Sequence, residues 1–184
     1  MDSTVTGAAA RVGMAPDDLA KALSSFVRSI LSGNSRFDRF INGQRDALNE
    51  EEQLGLRVFR GKGNCTACHL GPTLTDERFH NTGVAWRPSP DGSGGAYQDD
   101  GRFAVTGREG DRGAFKTPTL RDVVMSAPYM HDGSLATLED VVEFYDTGGR
   151  TNSNLTPNIR PLRLSSDEKQ SLVKFLKALT GSLN

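Results

Sequence analysis

Cys65-Thr66-Ala67-Cys68-His69 decides how this chain is read. The 184 residues contain two cysteines, and both lie in this pentapeptide. Two thiols at this spacing, followed at once by an imidazole, match the C-x-x-C-H attachment site of a c-type haem. The spacing has a chemical reason: the thiols reach the two vinyl groups of one porphyrin while the next side chain reaches the iron. Two other readings compete. A redox dithiol belongs in a βαβ setting, and the flanks here are helical in pattern. A zinc site needs a fourth ligand, and outside the motif only His80 and His131 offer nitrogen donors. The pentapeptide therefore predicts one covalent haem c, attached at Cys65 and Cys68 with His69 on the iron.

Helical patterns surround the motif. Upstream, Asn49 with Glu52 three residues on gives a capping-box signature, and Leu54, Leu56, Val58 and Phe59 carry that helix toward the cysteines. Downstream, a helix is predicted from Thr137, with Asp140 in the cap, through Leu138, Val141, Val142 and Tyr145 to Gly148-Gly149. The last helix starts near Ser165, with Glu168 three residues on, and carries Leu172, Val173, Phe175, Leu176 and Leu179 before Gly181. At the other end Pro16 opens a helix with Asp17 and Asp18 in its first turn, where acids suit the helix dipole. Its Leu19, Leu23, Phe26, Val27, Ile30 and Leu31 recur at steps of three and four, and Ser32-Gly33-Asn34 ends it.

Residues 1–14 are small and polar without a period and read as a disordered tail. From about Gly83 to Phe115 a Gly/Pro/Asp-rich stretch reads as loop with a short hairpin around Arg102–Thr106. Loops of this length are uncommon in compact domains unless they are functional or wrap a ligand, and a haem is such a ligand. The predicted class is mainly α, with long haem-wrapping loops.

Charge is nearly balanced, 22 basic residues against 23 acidic for a net −1, so the basic face of a nucleic-acid binder is not expected. No run approaches the roughly 18–20 apolar residues of a membrane span. Met1-Asp2-Ser3-Thr4-Val5 shows neither the basic start nor the apolar stretch of a secretory signal. Haem attachment of this kind points to the periplasm, so the start reads as that of a fragment or as misassigned.

A helix leading into C-x-x-C-H plus a final amphipathic helix resembles the cytochrome c fold. In that fold a glycine such as Gly55, ahead of Phe59, lets the first and last helices cross closely; Leu172, Phe175 and Leu176 supply the partner face. The implied organisation is a leading helix and linker over 15–45 and a cytochrome c-like haem domain over 46–184. Further segments narrow the resemblance: Cys68-His69-Leu70-Gly71-Pro72-Thr73-Leu74-Thr75-Asp76, Phe79-His80-Asn81-Thr82-Gly83, Phe115-Lys116-Thr117-Pro118-Thr119-Leu120-Arg121-Asp122-Val123, and Ala127-Pro128-Tyr129-Met130-His131-Asp132-Gly133-Ser134-Leu135-Ala136-Thr137-Leu138. Over about residues 15–182 these strongly resemble the C-terminal haem domain of the bacterial di-haem cytochrome c peroxidase family, including its MauG-like branch. Members of that family carry two haems in two domains, whereas this chain has one C-x-x-C-H.

Four side chains compete for the sixth iron position: Met130, His131, His80 and Tyr145. Composition alone favours Met130, since Met/His ligation is common in cytochromes c. The resemblance instead aligns Tyr145 with the family's ligating methionine, and the MauG-like branch uses a tyrosine there. An open or water-occupied position is a further alternative. His80 and His131 read as neighbours of the ligands or as propionate partners. The other ring nitrogen of His69 needs an acceptor, and Gly71-Pro72 resembles the turn whose carbonyl provides it. The resemblance also implies a calcium held partly by the backbone carbonyls of Ser126 and Pro128. Trp86, alone in its loop, reads as packing rather than as an electron relay.

The expected function is a haem c-binding electron-transfer domain of a cytochrome c peroxidase-like oxidoreductase. It would reduce peroxide with electrons from a small donor protein, a cytochrome or cupredoxin, together with a second haem domain. The alternatives are a non-enzymatic mono-haem electron-transfer cytochrome or a truncated remnant of a di-haem peroxidase.

Overall fold

The computed structural model describes Gly13, residues 15–30 and residues 32–183. The predicted tail over 1–14, Gly13 apart, and Leu31 lie outside the described residues. Among these described residues six α-helices follow in order: α1 Pro16–Ser29, α2 Arg36–Ile41, α3 Glu50–Arg60, α4 Phe103–Thr106, α5 Leu138–Asp146 and α6 Ser166–Lys177. Three antiparallel ribbons join them. β1 (Ser32–Gly33) pairs with β6 (Ser182–Leu183), β2 (Phe79–His80) with β5 (Phe115–Lys116), and β3 (Trp86–Pro88) with β4 (Gly95–Tyr97). The domain is thus mixed helix and ribbon, where the sequence pattern predicts mainly α. Strands of two or three residues are too short to show a period, so the pattern could not register them.

The caps fall where the sequence places them. Asn49 with Glu52, Thr137 with Asp140, and Ser165 with Glu168 each form a complete capping box. Ser35 with Asp38 adds a fourth at α2. In each, the cap oxygen accepts an otherwise orphaned N–H and the acid returns the bond, worth about 1 kcal/mol.

The core is the crossing of α3 over α6. A Cβ on Gly55 would lie 2.0 Å from the Ser171 carbonyl oxygen and 2.7 Å from the Phe175 Cβ, so only glycine allows this approach. Phe175, fully buried, sits between the rings of Phe59 (centroids 5.2 Å apart) and Phe37 (5.5 Å, edge to face). Leu48, Leu56, Leu172, Val173, Leu176 and Leu179 complete the cluster, each side chain contributing roughly 1.5–3 kcal/mol by burial. Phe37 brings α2 into the same core.

α1 does not join it. Leu23, Phe26, Val27 and Ile30 of its apolar stripe remain exposed, between 47% and 64%.

The long loop is more ordered than its composition suggests. Its hairpin is β3–β4, closed where Ser89 N–H donates to the Gly94 carbonyl (2.8 Å), with the Trp86 ring edge-on to Tyr97 at 4.9 Å. The hairpin expected around Arg102–Thr106 is instead the single turn of α4, stopped by Gly107 at φ +64°. Arg102 is held there by stacking 4.1 Å over the Phe79 ring. The buried Asn81 side-chain amide donates to the Arg112 carbonyl (2.8 Å) and to the Tyr97 (3.3 Å) and Asn152 (3.2 Å) oxygens, tying three loops together.

Candidate haem site

The C-x-x-C-H motif hangs from the end of α3. Gly63 N–H donates to the Val58 carbonyl (2.8 Å), Asn64 takes φ +51°, and Cys65–Ala67 form one 3-10 turn. His69 N–H closes back on the Cys65 carbonyl at 2.9 Å, so the two thiols and the imidazole come from one rigid turn.

The imidazole is oriented by its Nδ1, which lies 3.0 Å from the Leu74 carbonyl oxygen. A carbonyl only accepts, so the proton is on Nδ1 and Nε2 carries the lone pair that a metal would take. Burial also holds the His69 pKa below its usual value, favouring this neutral form. The acceptor is not the Gly71-Pro72 turn. Arg121 takes the Pro72 carbonyl, donating from Nε (2.9 Å) and Nη2 (2.7 Å), and Leu74 at φ +53° presents its own carbonyl instead.

Arg121 is the main residue that sequence reasoning missed. Its Nη1 reaches the Asp38 carboxylate at 2.7 Å, so one half-buried guanidinium pins the haem-motif loop to α2. Nothing local marks it, because its partners are distant in sequence.

The thiols are not those of a redox centre. Burial pushes Cys65 up to about 12, and burial with the Asp76 charge raises Cys68. A reactive dithiol needs a depressed pKa. Cys68, Asp76 and His80 do gather, with ligand atoms within 4.8 Å of one another. Cys65 is outside that group, its Sγ 3.5 Å from the Gly63 carbonyl oxygen. Three donors fall short of the four of a structural zinc site.

The other candidate ligands separate clearly. His80 is engaged, its Nε2 2.7 Å from the Asp76 carboxylate. His131 stacks on Phe115 (3.8 Å) with its Nε2 3.0 Å from Asp99. Met130 is half-buried against the core at φ +71°. Tyr145 lies on α5, and burial, then the neighbouring Cys65 and Cys68, raise its hydroxyl pKa above the usual phenol value. Ser126 and Pro128 are exposed on one loop, and Trp86 packs against Tyr97.

The donor set fits a c-type haem: two protonated thiols on one turn, an imidazole whose Nε2 carries the lone pair, and a phenol near the thiols. Cys65, Leu120, Val123, Val124, Met130, Leu135 and Val141 are all half-buried against the core, so apolar surface remains partly uncovered there.

No family model matches the chain. Among individual proteins, it is 40% identical to cytochrome-c peroxidase IdrP2 of Denitromonas iodatirespirans over 86% of its own length and 47% of the relative's. It is 38% identical to the methylamine utilization protein MauG of Methylorubrum extorquens, over 86% of this chain and 42% of that one. Among solved structures, a MauG-like protein associated with microbial copper homeostasis superposes with a TM-score of 0.71 at 36% identity, covering 80% of this chain and 48% of the other. The chain spans about half the length of the relatives it matches. No helix among the described residues is long and apolar enough to cross a membrane. The motif, the fold and these likenesses agree, and the chain belongs to the bacterial di-haem cytochrome c peroxidase and MauG family.

Proposed function

We propose that this chain is a haem c-binding, electron-transfer domain of cytochrome c-like fold in a peroxidase-type oxidoreductase of the periplasm. The single observation that carries the proposal is the turn Cys65–His69, with Nδ1 of His69 tied to Leu74 and the lone pair on Nε2. When bound, haem supplies a one-electron redox centre. Cys65 and Cys68 would anchor it, and His69 would supply an iron-binding nitrogen, made more basic by the Leu74 carbonyl. Tyr145 would offer its phenol oxygen to the iron. As a phenolate it would favour the oxidised state more than a thioether such as Met130 would.

The whole reaction in this reading is peroxide reduction. Electrons come from a small cytochrome or cupredoxin, and a second haem domain completes the path. In this reading the domain spans 46–184 and 15–45 lead into it; of that leading stretch, β1 and α2 pack onto the domain through β6 and Phe37, while α1 does not. A calcium bound partly by the Ser126 and Pro128 carbonyls belongs to the same reading; both residues are exposed, and the remaining oxygens such an ion takes would come from elsewhere.

The test is spectroscopic. Haem-loaded wild type, Tyr145→Phe and Met130→Leu are compared by absorption and EPR, and Tyr145→Phe alone should change the axial signature. An unchanged Tyr145→Phe spectrum overturns the ligand assignment. Peroxide turnover no faster than that of a haem-peptide control overturns catalysis by this chain on its own and favours the electron-transfer cytochrome.

A further inference from the structure

The segment after α5 carries Arg150, and two glycines fix its place. Gly83 (φ +81°) and Gly149 (φ +68°) let residues 82–83 and 149–150 run against each other. A Cβ on Gly83 would lie 2.1 Å from the Arg150 carbonyl oxygen, and one on Gly149 2.2 Å from that of Thr82. Arg150 Nη1 donates to the carbonyl of buried Val84 at 2.7 Å, and Arg87 Nη1 donates to the same oxygen at 2.6 Å. Two guanidinium groups therefore meet at one buried backbone oxygen.

Their charges are balanced unequally. Arg87 pairs with Asp132 at 2.9 Å. Arg150 is half-buried, and among the described residues no carboxylate oxygen lies within the 4.0 Å of an ion pair. Burial, and then the positive charge of Arg87, hold its pKa below the ordinary guanidinium value, offset in part by the Asp132 carboxylate. The other carboxylate here is already engaged, Asp99 with His131 Nε2 at 3.0 Å; these two, with Arg87 and Asp132, line a cavity of about 280 Å³. A partly desolvated cation beside another cation calls for an anion. Arg150 also borders the candidate site: its Cζ is 5.7 Å from the Phe144 ring, which meets Tyr145 edge to face at 5.5 Å.

We infer that Arg150, with Arg87 beside it, binds a carboxylate, and that this carboxylate is a propionate of the haem attached at Cys65 and Cys68. The inference rests on the functional reading above. It explains why two positive-φ glycines bring an arginine with no ion-pair partner among the described residues to this position. Arg87, already paired with Asp132, plays the smaller part.

The experiment uses the haem-loaded chain with ¹³C-labelled propionates and reads the carboxylate band by redox infrared difference spectroscopy, alongside the midpoint potential. Arg150→Gln should shift the propionate band and lower the potential, Arg150→Lys should restore both, and Arg87→Gln should shift the band less. Far-UV circular dichroism confirms that each variant keeps the fold. A propionate band unmoved by Arg150→Gln overturns the inference. So does a wild-type potential that titrates saturably with inorganic phosphate at constant ionic strength, which marks a site for a free anion. A wild-type chain that takes up no covalent haem overturns the functional reading itself, a failure distinguishable from both.

Discussion

Replacing Gly55 by alanine tests the architecture that carries the haem motif. The added Cβ would lie 2.0 Å from the Ser171 carbonyl oxygen, about 1.4 Å short of ordinary contact, so α3 and α6 must part. The obstacle is backbone on a helix, which cannot turn aside as a side chain can. Overpacking of this kind costs roughly 1–3 kcal/mol and occasionally more. Separation also loosens Phe175 from Phe59 and Phe37, two aromatic contacts worth about 0.5–1.5 kcal/mol each. Alanine returns about 1 kcal/mol of helix propensity. The expected loss is about 1–5 kcal/mol, centred near 3, which is roughly 6–12 °C in Tm for a chain of this size. Urea and thermal unfolding followed by far-UV circular dichroism measure it. Gly110→Ala, whose Cβ meets nothing within 4 Å, is the control and should change stability by less than about 0.5 kcal/mol. A Gly55→Ala protein that unfolds at or above the wild-type midpoint would refute the close crossing.

Arg121→Leu should cost about 3 kcal/mol in urea unfolding, because it strands the Asp38 carboxylate and the Pro72 carbonyl together. Adding Asp38→Asn should recover part of that loss, and additive costs would argue against the coupling. Acid sensitivity follows from the same pair. Burial alone would raise the Asp38 pKa, but bonds from Arg121 and Ser35 outweigh it and hold it below the usual value. Its stabilisation is therefore complete above the unfolded carboxylate pKa of about 4 and is lost as pH falls through the depressed value. Asp38→Asn should flatten the acid limb of a stability-against-pH curve. Gly149→Ala places a Cβ 2.2 Å from the Thr82 carbonyl oxygen at φ +68°, and a loss of at least about 2 kcal/mol is expected on unfolding. Cys65→Ser should leave one thioether, read as a shift of the pyridine haemochrome band; a band at the wild-type position would show that Cys65 carries no attachment.

The haem motif, the caps of α3, α5 and α6, and Gly55 at the crossing were legible because each depends on residues close in sequence or on a periodic face. Asn49 and Glu52 satisfy each other within one helical turn, so their pattern means the same in any fold. Three features were not legible, and for one reason: each is decided by partners far away in the chain. The acceptor for His69 moved from Pro72 to Leu74 because Arg121 arrives from a distant loop to take the Pro72 carbonyl. The stripe on α1 has the period of a packed helix, yet a period states which residues share a face and not whether anything covers them. Met130, His80, His131 and Tyr145 looked like rivals in the sequence. Folding spends His80 on Asp76 and His131 on Asp99, and brings Tyr145 into the electrostatic reach of both thiols. Sequence alone singled out Cys65, Cys68 and His69 as the residues that would hold a haem. Which groups orient the His69 ring and which candidate ligands are already engaged is decided by tertiary structure, because hydrogen-bonding capacity is finite and the fold decides which donor reaches which acceptor first.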